Sequence, residues 1–173
     1  MDVRTALKEQ LCAGLAMLRE CVEKCPDDLW LEGKHPRTFW RIAFHAAFFT
    51  HLGLGQTMQT FAAPPENLAV VSREEGRRLW TDPAYLEPYE MPEDTAPYSR
   101  QDILDYIDFV DSLVNATIDT VNLDTEDSGF PWFEDISKLS HELMNLRHLQ
   151  GHVGQLSELL MARDIDIEWV YKA

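Results

Sequence analysis

Residues 135–162 read DISKLSHELMNLRHLQGHVGQLSELLMA, and this stretch decides the fold. Its apolar residues recur at steps of three and four, the spacing that places side chains on one face of an α-helix. The stripe consists of Leu139, Leu143, Leu146, Leu149, Val153, Leu156 and Leu160. The stretch therefore predicts one long amphipathic helix that buries this stripe in a core.

The same helix carries two histidines that are one turn apart. His148 and His152 stand at positions i and i+4, so both imidazoles lie on one face and can bind one metal ion. His141 and Asn145 fall on the same arc, beside the leucine stripe. An arc at the edge of the core faces a groove between helices, which is where helical bundles build metal and ligand sites.

Three further segments repeat the helical spacing, namely 3–24, 36–61 and 99–121. Pro26 ends the first, Pro36 suits the opening turn of the second, and Ser99 with Asp102 suits the start of the third. No segment alternates as a β-strand would. The sequence therefore predicts an all-α fold, a four-helix bundle formed by a single domain over residues 1–173.

Segment 62–98 interrupts the helical pattern and holds six of the nine prolines. These are Pro64, Pro65, Pro83, Pro88, Pro92 and Pro97. A connection of this length can run along a whole bundle, so it predicts a long crossover loop between the second and third helices. A short helix that ends near Trp80 fits inside it.

The second helix supplies a third imidazole. His45 lies in the apolar stretch WRIAFHAAFFTHLGL, where a polar ring must find a partner. Three neutral histidines on two packed helices would leave a metal with open positions, as catalytic sites do. His51 lies on the same helix but six residues on, which turns it away from His45. It remains an alternative ligand, in which case His45 would be a core histidine.

Other metal motifs fail. His141-Glu142 begins the zincin pattern HExxH, but Asn145 stands where its second histidine belongs. Di-metal bundles use Glu-x-x-His on two helices, and the one match here, Glu32 to His35, falls in a turn before a proline. A mononuclear three-histidine site is therefore favoured over a di-metal site.

Charge and composition exclude several classes of function. With 15 basic and 30 acidic residues the net charge is −15, which repels nucleic acids and anionic membrane surfaces. No apolar run is long enough to span a membrane, and the charged start MDVRTALKEQL does not resemble a signal peptide. The three cysteines show no CxxC spacing and predict reduced thiols in a cytoplasmic protein.

The residues quoted so far resemble the DinB/YfiT-like superfamily of metal-dependent four-helix-bundle proteins. The likeness rests on a histidine that follows an aromatic in helix two (Trp40 to His45) and on RHLQGHVGQL in helix four. It covers about residues 3–162. The long Pro-rich segment and the additional His141 depart from the pattern.

This resemblance implies one divalent cation, usually nickel or zinc, which here would be held by His45, His148 and His152. It also implies a transferase or isomerase that uses a low-molecular-weight thiol cofactor, and it implies a homodimer. It implies no polymerase activity. The substrate would be a small molecule chosen by the loops over the groove.

Two functions are therefore compared. The first is a metal-dependent enzyme, a thiol-dependent transferase or a hydrolase, in which His141 or Asn145 orients a substrate. For His141 itself, a solvent-facing polar residue is the favoured interpretation.

The second function is that of a non-catalytic bundle, structural or regulatory and dimeric, that holds a metal or a small apolar ligand. Aromatic residues of the crossover could line its pocket, although ordinary core or loop packing is the favoured interpretation of each, namely Trp80, Tyr85, Tyr89 and Tyr98. The aromatic Trp169 is expected to pack back on the bundle.

Overall fold

The computed structural model describes residues 2–82 and 90–173 of the chain. Within these ranges it contains seven α-helices and one 3-10 turn, and it contains no β-strand. The helices are α1 (Val3–Lys24), α2 (Asp27–Trp30), α3 (Phe39–Leu54), α4 (Ala69–Ser72), α5 (Glu74–Thr81), α6 (Arg100–Thr120) and α7 (Lys138–Met161). The prediction of an all-α fold is confirmed.

Capping residues set the ends of three long helices. The side chain of Asp2 accepts a hydrogen bond from the Arg4 backbone N–H at the start of α1, and Ser137 does the same for α7. Ser99 and Asp102 form a reciprocal capping box at the start of α6. Because these side chains satisfy backbone groups that the first helical turn leaves unpaired, the helices begin close to the predicted positions.

α3 is shorter than the predicted segment 36–61. It begins at Phe39 after Thr38, whose backbone is extended, and Pro36 lies in the preceding turn. Gly33 has a φ of 115°, a conformation that a side chain disfavours, and it helps this turn reverse. The helix ends at Leu54, because the backbone becomes extended again at Gly55.

The four long helices surround one apolar core. α3 packs against α7 and α6, and α1 packs against α6 and α7. An aromatic cluster joins α3 to α6: the Phe44 ring lies 5.2 Å from the Tyr98 ring and 5.7 Å from the Tyr106 ring. Such stacked rings bury large apolar areas and fix the separation of the two helices.

The buried face of α7 differs from the predicted stripe in its first half. Leu143 was expected in the core but is 52% exposed. The inner positions here are polar, namely Lys138, His141, Glu142 and Asn145. From the middle of the helix onward the stripe is buried as predicted, through Leu149, Val153, Leu156 and Leu160. Contacts inside the protein offset part of the cost of burial: Lys138 pairs with Glu142, and the Asn145 amide donates to the Thr50 carbonyl.

The crossover is tied to α3 by a buried cation. The Arg41 guanidinium donates hydrogen bonds to the carbonyl oxygens of Met91, Pro92 and Glu93. This contact places Glu90 beside α3. The short helix α5 covers the predicted position near Trp80, and Trp80 packs on Phe61 with the ring centroids 5.6 Å apart.

Among the crossover aromatics, Tyr98 is a core residue and is 2% exposed. Tyr85 and Tyr89, like the rest of residues 83–89, lie outside the described residues. The expected contact of Trp169 with the bundle is wrong, since this side chain is 77% exposed. The tail packs on the core through Ile165, Ile167 and Val170 instead. Hydrogen bonds from Lys24 to the Asp166 carbonyl and from the Glu168 N–H to Glu20 hold this path, and they leave Trp169 facing solvent.

Two further observations concern the environment of the chain. None of the helices in the described ranges combines the length and apolarity that crossing a bilayer requires. The three cysteines are free thiols. Burial raises the pKa of Cys21 and of Cys25 to about 12, so both are inert thiols at neutral pH.

The packing of α3 on α7 gives a testable contrast between two glycines. A Cβ at Gly53 would lie 2.7 Å from the Cγ of Asn145, whereas a Cβ at Gly151 would meet nothing within 4 Å. We expect Gly53→Ala to destabilise the fold by about 1–3 kcal/mol through overpacking. Gly151→Ala should stabilise it by up to about 1 kcal/mol, since alanine favours a helix. Urea unfolding of both variants measures the difference, and equal effects would contradict this packing.

Candidate metal centre

Three histidine side chains converge between α3 and α7. His45 comes from the middle of α3, and His148 and His152 come from adjacent turns of α7. The Nε2 atom of His148 lies 3.2 Å from Nε2 of His45 and 3.0 Å from Nε2 of His152. One ring nitrogen from each residue lies within 4.8 Å of the others, and all three residues are half-buried.

The outer nitrogens of two rings are held by acceptors. Nδ1 of His45 lies 3.2 Å from Oε1 of Glu90, and Nδ1 of His152 lies 2.8 Å from Oε1 of Gln155. A carboxylate or amide oxygen accepts hydrogen bonds, so each of these Nδ1 atoms carries the proton in the neutral ring. The Nε2 atoms of His45 and His152 are then bare lone pairs that face His148.

This arrangement fits a divalent cation. Two lone pairs face a third ring nitrogen, which could donate one proton to only one of them. Metal–imidazole bonds of about 2.0–2.1 Å place neighbouring ligand nitrogens about 3 Å apart, which matches the distances from His148 Nε2 to the other two Nε2 atoms. A hydrogen-bonded carboxylate or amide behind a ligating histidine is also the usual support of a metal site. The donor set is therefore suited to a cation, which would resolve the contact between the lone pairs.

Burial keeps two rings of the cluster, His148 and His152, neutral. Burial is the main cause that lowers the pKa of His148 to about 4, and the neighbouring His152 and His45 contribute to the same shift. Burial also lowers the pKa of His152, against the hydrogen bond of Gln155. Neutral imidazole is the form that binds metals, so both rings are competent at neutral pH.

Glu90 is ionised beside His45. Burial by itself would raise the pKa of this carboxyl, but the His45 hydrogen bond and the nearby Arg37 lower it, and the net direction is downward. On the other side, the Phe49 ring packs on His45 at a centroid distance of 4.4 Å. The cluster thus has an anionic support on one side and an apolar wall on another.

The structure does not bring His51 to this cluster. Its Nε2 donates to the carbonyl oxygen of Ala62 at 2.9 Å, and its Nδ1 lies 2.9 Å from the hydroxyl of Tyr106. Burial lowers the pKa of His51 to about 4. With both nitrogens engaged in the core, His51 is a core histidine, and the alternative that exchanges it with His45 is not supported by this geometry.

His141 and Asn145 are both buried, so the interpretation of His141 as a solvent-facing residue is wrong. The His141 ring stacks on Phe130, with 4.6 Å between centroids and an angle of 13° between planes. The Asn145 amide nitrogen donates to the Thr50 carbonyl at 3.0 Å. Spacing alone placed these residues on the histidine arc, but it did not show that the arc turns inward.

Several residues in and around the site were not predicted from the sequence. The signal for Gln155 was present, since it follows His152 in the quoted helix-four pattern. Lys138 and Glu142 form a buried ion pair with 3.0 Å between Nζ and Oε1, and their i, i+4 spacing could have indicated it. Glu90 gave no signal, because the crossover brings it to the site through tertiary contacts.

No protein-family model, curated protein or solved structure matches the chain significantly. The likeness to the DinB/YfiT-like superfamily therefore rests on the residues quoted for it. The convergence of His45, His148 and His152 does not depend on that likeness.

Proposed function

We propose that this chain is a metal-dependent enzyme of the DinB-like type, in which His45, His148 and His152 hold one divalent cation, nickel or zinc. The observation that carries the proposal is the convergence of three Nε2 atoms behind which Glu90 and Gln155 fix two outer nitrogens. Hydrogen bonds of this kind fix the tautomer and the ring orientation of histidines that bind metals.

The reaction we propose is a thiol-dependent group transfer or a hydrolysis. When bound, the cation supplies Lewis acidity, which activates a thiol or water near neutral pH. The protein's own residues orient the imidazoles through Glu90 and Gln155, and Phe49 shields one side of the cluster from water. A low-molecular-weight thiol and a small-molecule substrate would approach from the pocket beside His148.

The remaining features of the proposal concern architecture and setting. The packing of α3 and α1 against α6 and α7 supports a four-helix bundle with a long crossover. The free thiols support a cytoplasmic protein, and the charge of −15 argues against nucleic-acid and membrane partners. We propose a homodimer by similarity to the family.

A conservative test concerns the residue behind His152. We expect Gln155→Ala to weaken binding of Zn²⁺ or Ni²⁺ by about 10–100-fold, because the ring loses the acceptor that fixes its orientation. Glu158→Ala, an exposed change one turn further along α7, is the matched control and should bind as tightly as the wild type. Calorimetric titration of chelator-treated protein measures both. Equal affinities in the two variants would contradict the support assigned to Gln155.

Activity separates the enzyme from the non-catalytic alternative. Metal-loaded protein is assayed with a panel of thiols and electrophiles, and with esters and amides, against the metal-free chain. Metal-dependent turnover that is lost in His148→Ala supports the enzyme. Tight metal binding without turnover across the panel would leave the chain as a helical metal-binding protein.

A further inference from the structure

An apolar pocket of ≈ 360 Å³ adjoins the histidine cluster. Its volume is that of a site for a small organic molecule. Its apolar walls come from α3, from α7 and from the turn before α7, through Phe49, Leu52, Phe130, Trp132, Phe133 and Met144. His148 belongs both to this pocket and to the cluster, so a molecule in the pocket lies against the candidate centre.

One hydrogen-bond donor in the pocket wall is available to a ligand. The His141 ring is 2% exposed and lines the pocket, and its Nδ1 lies 3.4 Å from Nζ of Lys138. A lysine ammonium only donates, so Nδ1 accepts and the ring proton sits on Nε2. No atom of residues 2–82 and 90–173 accepts a hydrogen bond from that Nε2, and the ring lines the pocket. A ligand that offers an acceptor oxygen can therefore receive this hydrogen bond.

The remaining polar groups add direction and charge. The amide nitrogen of Asn145 is held by the Thr50 carbonyl, which leaves the Asn145 oxygen without a hydrogen bond in the described part of the chain. Arg147 also contributes to the lining, is exposed, and makes no ion pair with any described residue. A cation at the rim of a pocket favours an anionic ligand, even in a chain whose net charge is −15.

The walls indicate what the rest of the ligand is. Phe130 and the His141 ring are nearly parallel, and Phe133 lies at 5.4 Å from the same imidazole. Flat rings pack well against such surfaces, whereas a strongly hydrated molecule would lose its water without gaining hydrogen bonds.

We propose that this pocket binds a flat, ring-bearing carboxylate, whose ring lies among Phe130, Phe133 and Met144 and whose carboxylate oxygen accepts the proton of His141 Nε2. Arg147 attracts the anion to the entrance. That this molecule is the substrate rests on the proposed function, since only then does contact with His148 lead to a reaction. Binding itself does not depend on the metal.

The test uses 2-naphthoate as the probe and the full, chelator-treated chain. Calorimetry should show saturable binding of 2-naphthoate and none of succinate, a carboxylate without a ring. Met144→Trp fills the pocket and should weaken binding at least about tenfold. Leu143→Trp places the same ring on the neighbouring, 52% exposed position and should change nothing. Absence of naphthoate binding, or equal loss in both variants, would overturn the proposal.

A second variant tests the hydrogen bond. His141→Phe keeps a stacked ring but removes the donor, so the affinity for 2-naphthoate should fall about tenfold. The affinity for 2-methylnaphthalene, which has no carboxylate, should be retained, and this shows that the pocket is intact. Equal losses for the two probes would refute the role of His141. All these measurements use metal-free protein, so their outcome does not depend on the proposed metal centre. If the chain binds naphthoate but a separate titration shows no metal binding, the proposed centre is refuted and the pocket assignment stands.

Discussion

Replacing His148 with alanine will abolish stoichiometric metal binding and leave a helical protein. His148 is the central ring of the cluster, since its Nε2 lies within 3.2 Å of both other Nε2 atoms. Its loss leaves two ligands, which hold a cation far more weakly than three. The side chain is only half-buried, so its removal should lower the stability of the fold only slightly. Elemental analysis of protein purified without an affinity tag gives the metal content, and circular dichroism gives the helix content.

Two other histidines provide controls for this result. His35→Ala removes an exposed imidazole, and His51→Gln removes a core one while keeping a group that can form hydrogen bonds. Both variants should retain the metal content of the wild type. Unchanged metal in His148→Ala would show that the cluster is not the site, whereas loss in His51→Gln with an intact fold would transfer the role of His45 to His51.

Lys138→Met should destabilise the fold by about 3–5 kcal/mol, because it leaves the Glu142 carboxylate buried without its cation. Both side chains of this pair are fully buried, and Lys138 also donates to the Gly55 carbonyl. Urea unfolding measures the loss. Lys172→Met, which removes an exposed pair with Glu9, should cost no more than about 1 kcal/mol.

The deficit of Lys138→Met depends on pH with a definite sign. Burial already raises the pKa of Glu142 to about 7, above its value of 4.5 in an unfolded chain, and removing the cation raises it further. A carboxyl whose pKa is higher in the folded than in the unfolded protein contributes stability that is fully present below its unfolded pKa. This contribution is lost as the pH rises through the folded pKa. The variant should therefore be closest to the wild type near pH 5 and furthest from it at pH 8. The double variant Lys138→Met with Glu142→Leu should recover most of the stability. A double variant as unstable as the single one would show that the loss arises elsewhere.

Helix positions were predictable where local chemistry sets them. Ser99 and Asp102 announce the start of α6, and Pro26 stops α1, because capping and proline act within a few residues. The length of α3 was overestimated, because apolar residues continue past Leu54 whereas the helical backbone ends there. The inner face of α7 was misplaced at Leu143, because partners from other elements let Lys138 and Glu142 take the buried positions.

Of the candidate site, the three histidines were predictable from the sequence. The i, i+4 spacing of His148 and His152 follows from helical geometry, and the polar ring of His45 stood out in an apolar helix. Glu90 and the pocket walls Phe130 and Phe133 depend on how distant loops return to the bundle. Nothing in their local sequence carries that information.

The contact of Arg41 with the crossover is linked to the orientation of the His45 ring. The Arg41 guanidinium fixes the chain just after Glu90, and Glu90 in turn restrains His45. A bound cation that favours this orientation of His45 should also favour the contact of Arg41 with residues 91–93, and the reverse, because coupling between two sites is reciprocal. We expect bound metal to slow proteolytic cleavage of the crossover next to residues 91–93, and equal cleavage with and without metal would show that the two contacts are not coupled.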